Sequence, residues 1–100
     1  MKKYIKYQQN KKEFDGMIQH IANLCRIPSI SIEQENDEKY PFSKNVDDAL
    51  EYALKLAKDF GFETYKDSKN RYGYAQIGNG SKILGILAHL DVVPAGDENQ

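Results

Sequence analysis

The chain has 100 residues, a formal net charge of −1 and a single cysteine. That length holds one small domain at most. The charge balance offers no pull toward nucleic acid or an anionic membrane, and Cys25 alone excludes an internal disulfide and a cysteine-built zinc site. No run reaches the ~20 apolar residues of a membrane span, and the first nine residues are too polar for a signal peptide, so the expected location is the cytoplasm.

Lys2, Lys3, Lys6, Lys11 and Lys12 form the one basic cluster and read as the solvated start of a helix. That helix is expected over 10–25, where Phe14, Met17, Ile18, Ile21, Leu24 and Cys25 repeat on one face. Gly16 costs it about 1 kcal/mol against alanine, and the helix must stop before Pro28. His20 flanks the apolar face with no companion at ligand spacing and reads as a boundary residue. Cys25 reads as a small buried hydrophobe.

Residues 29–43 read as a loop in which Glu33, Glu35, Asp37 and Glu38 crowd together. An acid–base pair is not expected among them, because a polar segment lacks the apolar cover that perturbs carboxyl pKa values. Tyr40-Pro41-Phe42 is expected to pin the loop to the core. A second helix follows over 46–60, capped by Ser43 or Asn45, with Asp47 and Asp48 suited to its positive end. Val46, Ala49, Leu50, Ala53, Leu54, Ala57 and Phe60 form its expected buried stripe, Glu51 and Lys55 are i,i+4 partners, and Gly61 ends it.

Three strands are expected next, over 62–65, 72–77 and 82–90. Asp67-Ser68-Lys69-Asn70 is a turn-rich break between the first two. Gly78-Asn79-Gly80-Ser81 is the stronger turn signal and is expected to join the second and third as a hairpin. Tyr65, Tyr72 and Tyr74 read as sheet-face aromatics rather than a base-stacking platform. The run Ile83-Leu84-Gly85-Ile86-Leu87 has the composition of a buried strand and leads straight to His89 and Asp91. In a strand, residues i and i+2 share a face, so His89 and Asp91 project together. A metal-bound imidazole donates its other ring N–H to a carboxylate or carbonyl, so one short segment supplies a ligand and its orienting neighbour.

The string Ala88-His89-Leu90-Asp91-Val92-Val93-Pro94-Ala95-Gly96 closely resembles the first metal-binding motif of the zinc-dependent dipeptidase, aminoacylase and carboxypeptidase G family, above all its dipeptidase V branch. Ile27-Pro28-Ser29, the 45–62 segment with Asp59-Phe60-Gly61-Phe62, and the 71–80 segment resemble successive stretches of the same family in order. The resemblance implies an α/β fold: the N-terminal part of a sandwich catalytic domain with a mixed sheet. It implies two metal ions, usually zinc, that activate a water against the scissile amide of a short peptide. It assigns His89 as a metal ligand and Asp91 as the active-site carboxylate that orients it.

The bridging Asp, the Glu-Glu pair, a further acidic ligand and a distant His that the family requires would all lie after Gln100. One histidine falls short of the three protein ligands of a catalytic zinc, so residues 1–100 are expected to be an incomplete, inactive segment of such a domain. Asp97 and Glu98 fall in a variable acidic turn and receive no role. The family motif continues to a tryptophan, and this chain has none. The expectation is a UGA codon after Gln100, read as tryptophan in some bacteria; a true truncation, a pseudogene or a partial clone gives the same protein sequence. The alternative reading is a non-enzymatic remnant or small interaction protein. Substrate preference and oligomeric state cannot be read from these residues.

Overall fold

The computed structural model describes residues 6–32 and 37–96. Glu33, Glu35, Lys2, Lys3, Asp97 and Glu98 therefore lie outside the described residues. The elements are α1 (Lys11–Cys25), α2 (Lys44–Asp59), β1 (Glu63–Lys66) and β2 (Gly73–Gln76), the two strands forming an antiparallel pair.

Helix α1 begins where its cap dictates. Asn10 accepts the Glu13 N–H through its side-chain oxygen at 2.8 Å, and its amide nitrogen reaches back to Glu13 Oε1 at 3.1 Å, a reciprocal arrangement that satisfies the first turn. The apolar face is as expected, but its burial is not. Phe14, Met17, Ile18 and Ile21 are between 41% and 49% exposed, and Cys25 is exposed rather than buried. A stripe is buried only as far as a neighbour covers it, and α2 is the one element lying against α1 among the described residues.

Of the two expected caps for α2, Ser43 is the one used. Its hydroxyl accepts from Val46 N–H at 3.3 Å and donates to the Ile30 carbonyl at 3.0 Å. Its backbone sits at φ 128, ψ 158, a region left essentially to glycine and costing of order 1–3 kcal/mol. Two hydrogen bonds offset that strain. Ser43→Ala is therefore expected to destabilise by about 1–2 kcal/mol. Ser43→Gly loses the same bonds but relieves the backbone, so its urea midpoint should fall between wild type and Ser43→Ala. The reverse order would refute this account of Ser43. The helix ends with the Phe62 N–H on the Ala57 carbonyl at 3.0 Å and the Gly61 N–H on that of Lys58 at 2.9 Å, with Gly61 at φ +95, the left-handed cap expected of it.

The core is small. Ala49, at 0% exposure, is the one buried hydrophobic residue among those described. Phe60, expected in the α2 stripe, is 64% exposed, again for want of a covering element. Asp47 lies in the first turn of α2 as expected; it is also 7% exposed and meets the Lys66 ammonium of β1 at 2.6 Å. Glu51 pairs with the same ammonium at 2.5 Å and not with Lys55, whose nearest acid is Asp59 at 4.0 Å. Burial alone would lower the Lys66 pKa, but the Asp47 and Glu51 carboxylates overcome it and hold the ammonium above its ordinary value.

The hairpin forms one turn earlier than the Gly-Asn-Gly signal suggests. Glu63 pairs with Gln76 and Lys66 with Gly73, so the connection is 67–72. Asp67 closes it: its N–H reaches the Tyr72 carbonyl at 2.9 Å, its carbonyl takes the Asn70 N–H at 2.9 Å, and its carboxylate takes Arg71 Nε at 2.8 Å. The Arg71 guanidinium, against the opposing effect of burial, holds the Asp67 carboxyl below the usual carboxylate range. Asn70 supplies the left-handed residue at φ 58. Gly73 lets β2 approach α2, since a Cβ there would lie 2.8 Å from both Leu54 Cδ1 and the Tyr65 carbonyl oxygen. Tyr65 stacks on its cross-strand partner Tyr74 at 5.1 Å, with Tyr72 tilted at 6.3 Å, the sheet-face cluster expected of these residues.

The expected third strand over 82–90 is not formed. Ile83, Leu84, Ile86 and Leu87 are 93%, 90%, 88% and 100% exposed, and the segment takes no regular structure. An apolar composition favours a strand only where neighbouring strands complete its ladder, and none of the described residues does so. The radius of gyration, 17.0 Å, exceeds the ~13 Å of a compact 100-residue domain. No helix among the described residues is long and apolar enough to cross a membrane.

Candidate functional site

Beyond the bare run, the chain is caught again. The Val92 N–H donates to the Ser29 carbonyl at 2.9 Å, and Ile30 and Val92 form an isolated parallel bridge. The Ser29 hydroxyl donates to the Leu90 carbonyl at 2.9 Å. Ser29 is 3% exposed, held between the end of α1 and the segment that carries the histidine. The loop containing it is secured by Ser43 on the Ile30 carbonyl and by the Ile32 N–H on the Phe42 carbonyl at 2.7 Å. That contact ties the two ends of the loop to each other; Ile32 and Phe42 are 54% and 40% exposed, so the expected pinning of Tyr40-Pro41-Phe42 to the core is not formed.

This anchoring brings His89 and Asp91 together. His89 Nδ1 lies 3.0 Å from the Asp91 carbonyl oxygen and 3.3 Å from Asp91 Oδ1. A carbonyl oxygen only accepts, so Nδ1 is the donor in this bond, which in a neutral ring leaves the lone pair on Nε2. The His89 side chain is 84% exposed, which leaves Nε2 accessible. Both residues open on a cleft of about 320 Å³, also lined by Phe42, Leu50 and Arg71.

One accessible imidazole nitrogen with an oriented ring fits a single position of a metal site, and the partnership on Nδ1 is the kind that fixes a ligand's tautomer. A catalytic zinc needs three protein ligands. Among the described residues, no group of three or more His, Cys, Asp or Glu side chains is placed to hold a metal ion.

The other sequence candidates have structural roles. His20 packs edge-on against Phe60 at 5.8 Å, in an open apolar cleft of about 1010 Å³ between α1 and α2. Asp37 Oδ1 accepts from the Lys39 and Tyr40 N–H groups at 3.1 and 3.0 Å, the local turn that aspartate makes with its own backbone. Two residues near the site had no role in the sequence reading. Ser29 entered only within a resemblance, and its partners are too distant in sequence to infer. Arg71 had a local signal, an Asp at i−4, that went unused.

Curated relatives match most of the chain. A protein named as a dipeptidase in Staphylococcus haemolyticus is 32% identical over 92 residues, covering 91% of this chain and 19% of the relative. The Beta-Ala-Xaa dipeptidase of Lactobacillus delbrueckii subsp. lactis is 37% identical over 83 residues, 83% of this chain and 17% of the relative. A protein named as a dipeptidase in Staphylococcus epidermidis is 38% identical over 81 residues, 81% of this chain and 17% of the relative. The chain thus spans less than a fifth of the length of these relatives. No family model matches.

Proposed function

We propose, on the premise that these matches support a dipeptidase family, that residues 1–100 are the opening segment of a zinc-dependent dipeptidase catalytic domain of the dipeptidase V branch. The observation that carries this reading is the 37% identity over 83 residues to a Beta-Ala-Xaa dipeptidase. The pairing of His89 with Asp91, which leaves one imidazole nitrogen accessible, supports it. So does the bare run at 83–87, whose composition suits a strand of a mixed sheet.

In this reading His89 is one zinc ligand through Nε2, and Asp91 holds the ring in the required tautomer and orientation. Two zinc ions, when bound, activate water and polarise the scissile carbonyl. Residues 1–100 supply no counterpart of the family's bridging Asp, Glu-Glu pair and remaining ligands in this reading, and by themselves are expected not to hydrolyse peptides. The substrates are short peptides, β-Ala-Xaa dipeptides first among them. Neither nucleic acid nor membrane is a partner, and the protein works in the cytoplasm.

The test begins with the nucleotide sequence past the Gln100 codon and whatever longer frame it encodes. The extended protein is then expressed and assayed on a β-Ala-Xaa dipeptide. Hydrolysis should disappear on chelation and return with zinc. Hydrolysis that survives chelation would refute the zinc chemistry. A frame that lacks the acidic ligands would refute the assignment as a segment of such an enzyme and favour the non-enzymatic remnant.

A further inference from the structure

We infer that Ser29 is a positioning residue for His89. The inference rests on the reading of His89 as a zinc ligand, and the geometry behind it is independent of that reading. Ser29 makes two bonds to one short stretch: its carbonyl takes the Val92 N–H and its hydroxyl donates to the Leu90 carbonyl, each at 2.9 Å. These two groups belong to the two peptide units that flank Asp91. A trans peptide is planar, with its N–H and C=O pointing opposite ways. Holding the Val92 N–H therefore aims the Asp91 carbonyl away from Ser29, and that carbonyl is the group 3.0 Å from His89 Nδ1. Holding the Leu90 carbonyl fixes the other peptide plane, so Asp91 is gripped on both sides.

The side-chain bond is buried, with Ser29 at 3% exposure, whereas the imidazole it serves stands largely in water. An exposed ring has no packing of its own to set its orientation. Here the orientation comes from the Asp91 carboxylate at 3.3 Å together with the Asp91 backbone carbonyl, and Ser29 sets the direction of that carbonyl. Ser43 secures the arrangement from behind by holding the Ile30 carbonyl next in the chain. The cap of α2 and the loop after α1 thus converge on one ring nitrogen.

The experiment uses the ¹⁵N-labelled protein at the full length its reading frame encodes, freed of metal with a chelator. Long-range ¹H–¹⁵N correlations of the His89 ring are recorded where imidazole is neutral, and they report which nitrogen holds the proton. Wild type should favour the Nδ1–H form. Ser29→Ala should shift the tautomer ratio toward Nε2–H by roughly 2–10-fold, the worth of one net hydrogen bond, and Ser29→Thr should keep the wild-type ratio.

Valine and threonine have matched shapes, so Ser29→Val against Ser29→Thr reads the hydroxyl alone even if both loosen the loop. A wild-type ratio in Ser29→Ala, or equal ratios in the valine and threonine variants, would overturn the inference. Failure of the extended protein to hydrolyse dipeptides would sink the enzymatic reading and leave the tautomer result standing. An unchanged tautomer in an active, zinc-dependent enzyme would do the opposite.

Discussion

Replacing His89 by alanine in the extended protein is expected to lower zinc-dependent hydrolysis of a β-Ala-Xaa dipeptide by more than ~100-fold, and Asp91→Asn by about 10–100-fold, the range that loss of a partner behind a metal ligand produces. The difference follows from position. His89 offers Nε2 outward, and no neighbouring described side chain can replace it. Asp91 acts on the ring through its carboxylate at 3.3 Å, while its backbone carbonyl survives the substitution. The His89 side chain is 84% exposed, so His89→Ala should leave the urea midpoint within the scatter of surface substitutions. Activity, bound zinc and unfolding are measured together. A stable His89→Ala protein with full zinc content and near-wild-type kcat/KM would remove His89 from the site. Glu35→Ala, in the acidic stretch of the sequence at 33–38, is the comparison that should leave activity nearly unchanged.

Lys66→Met should be the largest single loss of stability outside the site, about 2 kcal/mol in urea unfolding. The substitution keeps the aliphatic stem and removes the charge. Asp47 is then left 7% exposed with no counter-ion, and an unpaired buried charge is the costly case. The figure lies below that of a fully buried pair because the Lys66 side chain keeps 22% exposure. The pair also predicts a direction with pH. The Lys66 pKa in the fold is raised above its ordinary 10.5, so the ion pair contributes fully below that value and its contribution fades as pH climbs through the folded value. Wild type and Lys66→Met should therefore converge in stability above about pH 10.5. A constant gap from neutral to strongly alkaline pH would place the stabilisation elsewhere.

The helices were legible because their signals are local. An apolar period, a capping Ser43 and a terminal Gly61 all act within a few residues. The hairpin misled for the same reason. Gly78-Asn79-Gly80 is the stronger local pattern, but the turn that forms is closed by a buried Asp67 reaching Arg71 and by Asn70 in the left-handed region. The run at 83–87 reads as a buried strand from composition, yet a strand is defined by its partners, and composition does not supply them. His89 and Asp91 were found by a spacing argument that assumes one strand face. They meet instead because the Asp91 carbonyl turns toward the ring. The residue that aims that carbonyl, Ser29, lies 61 positions from its Leu90 partner, beyond the reach of any local pattern.

Among the described residues, helix α1 buries none of its side chains and rests on the remainder of the fold through α2. A fifteen-residue helix with so little tertiary support is marginal in water. It is expected to open locally at a free energy below that of global unfolding. The anchor at Ser29 lies past its C-terminal end and holds to Leu90 and Val92, not to the helix. Fraying of α1 meets the His89 corner through the backbone turn at Ile27, whose carbonyl takes the Ser29 N–H at 2.8 Å, while the Ser29 hydroxyl keeps its own hold on the Leu90 carbonyl.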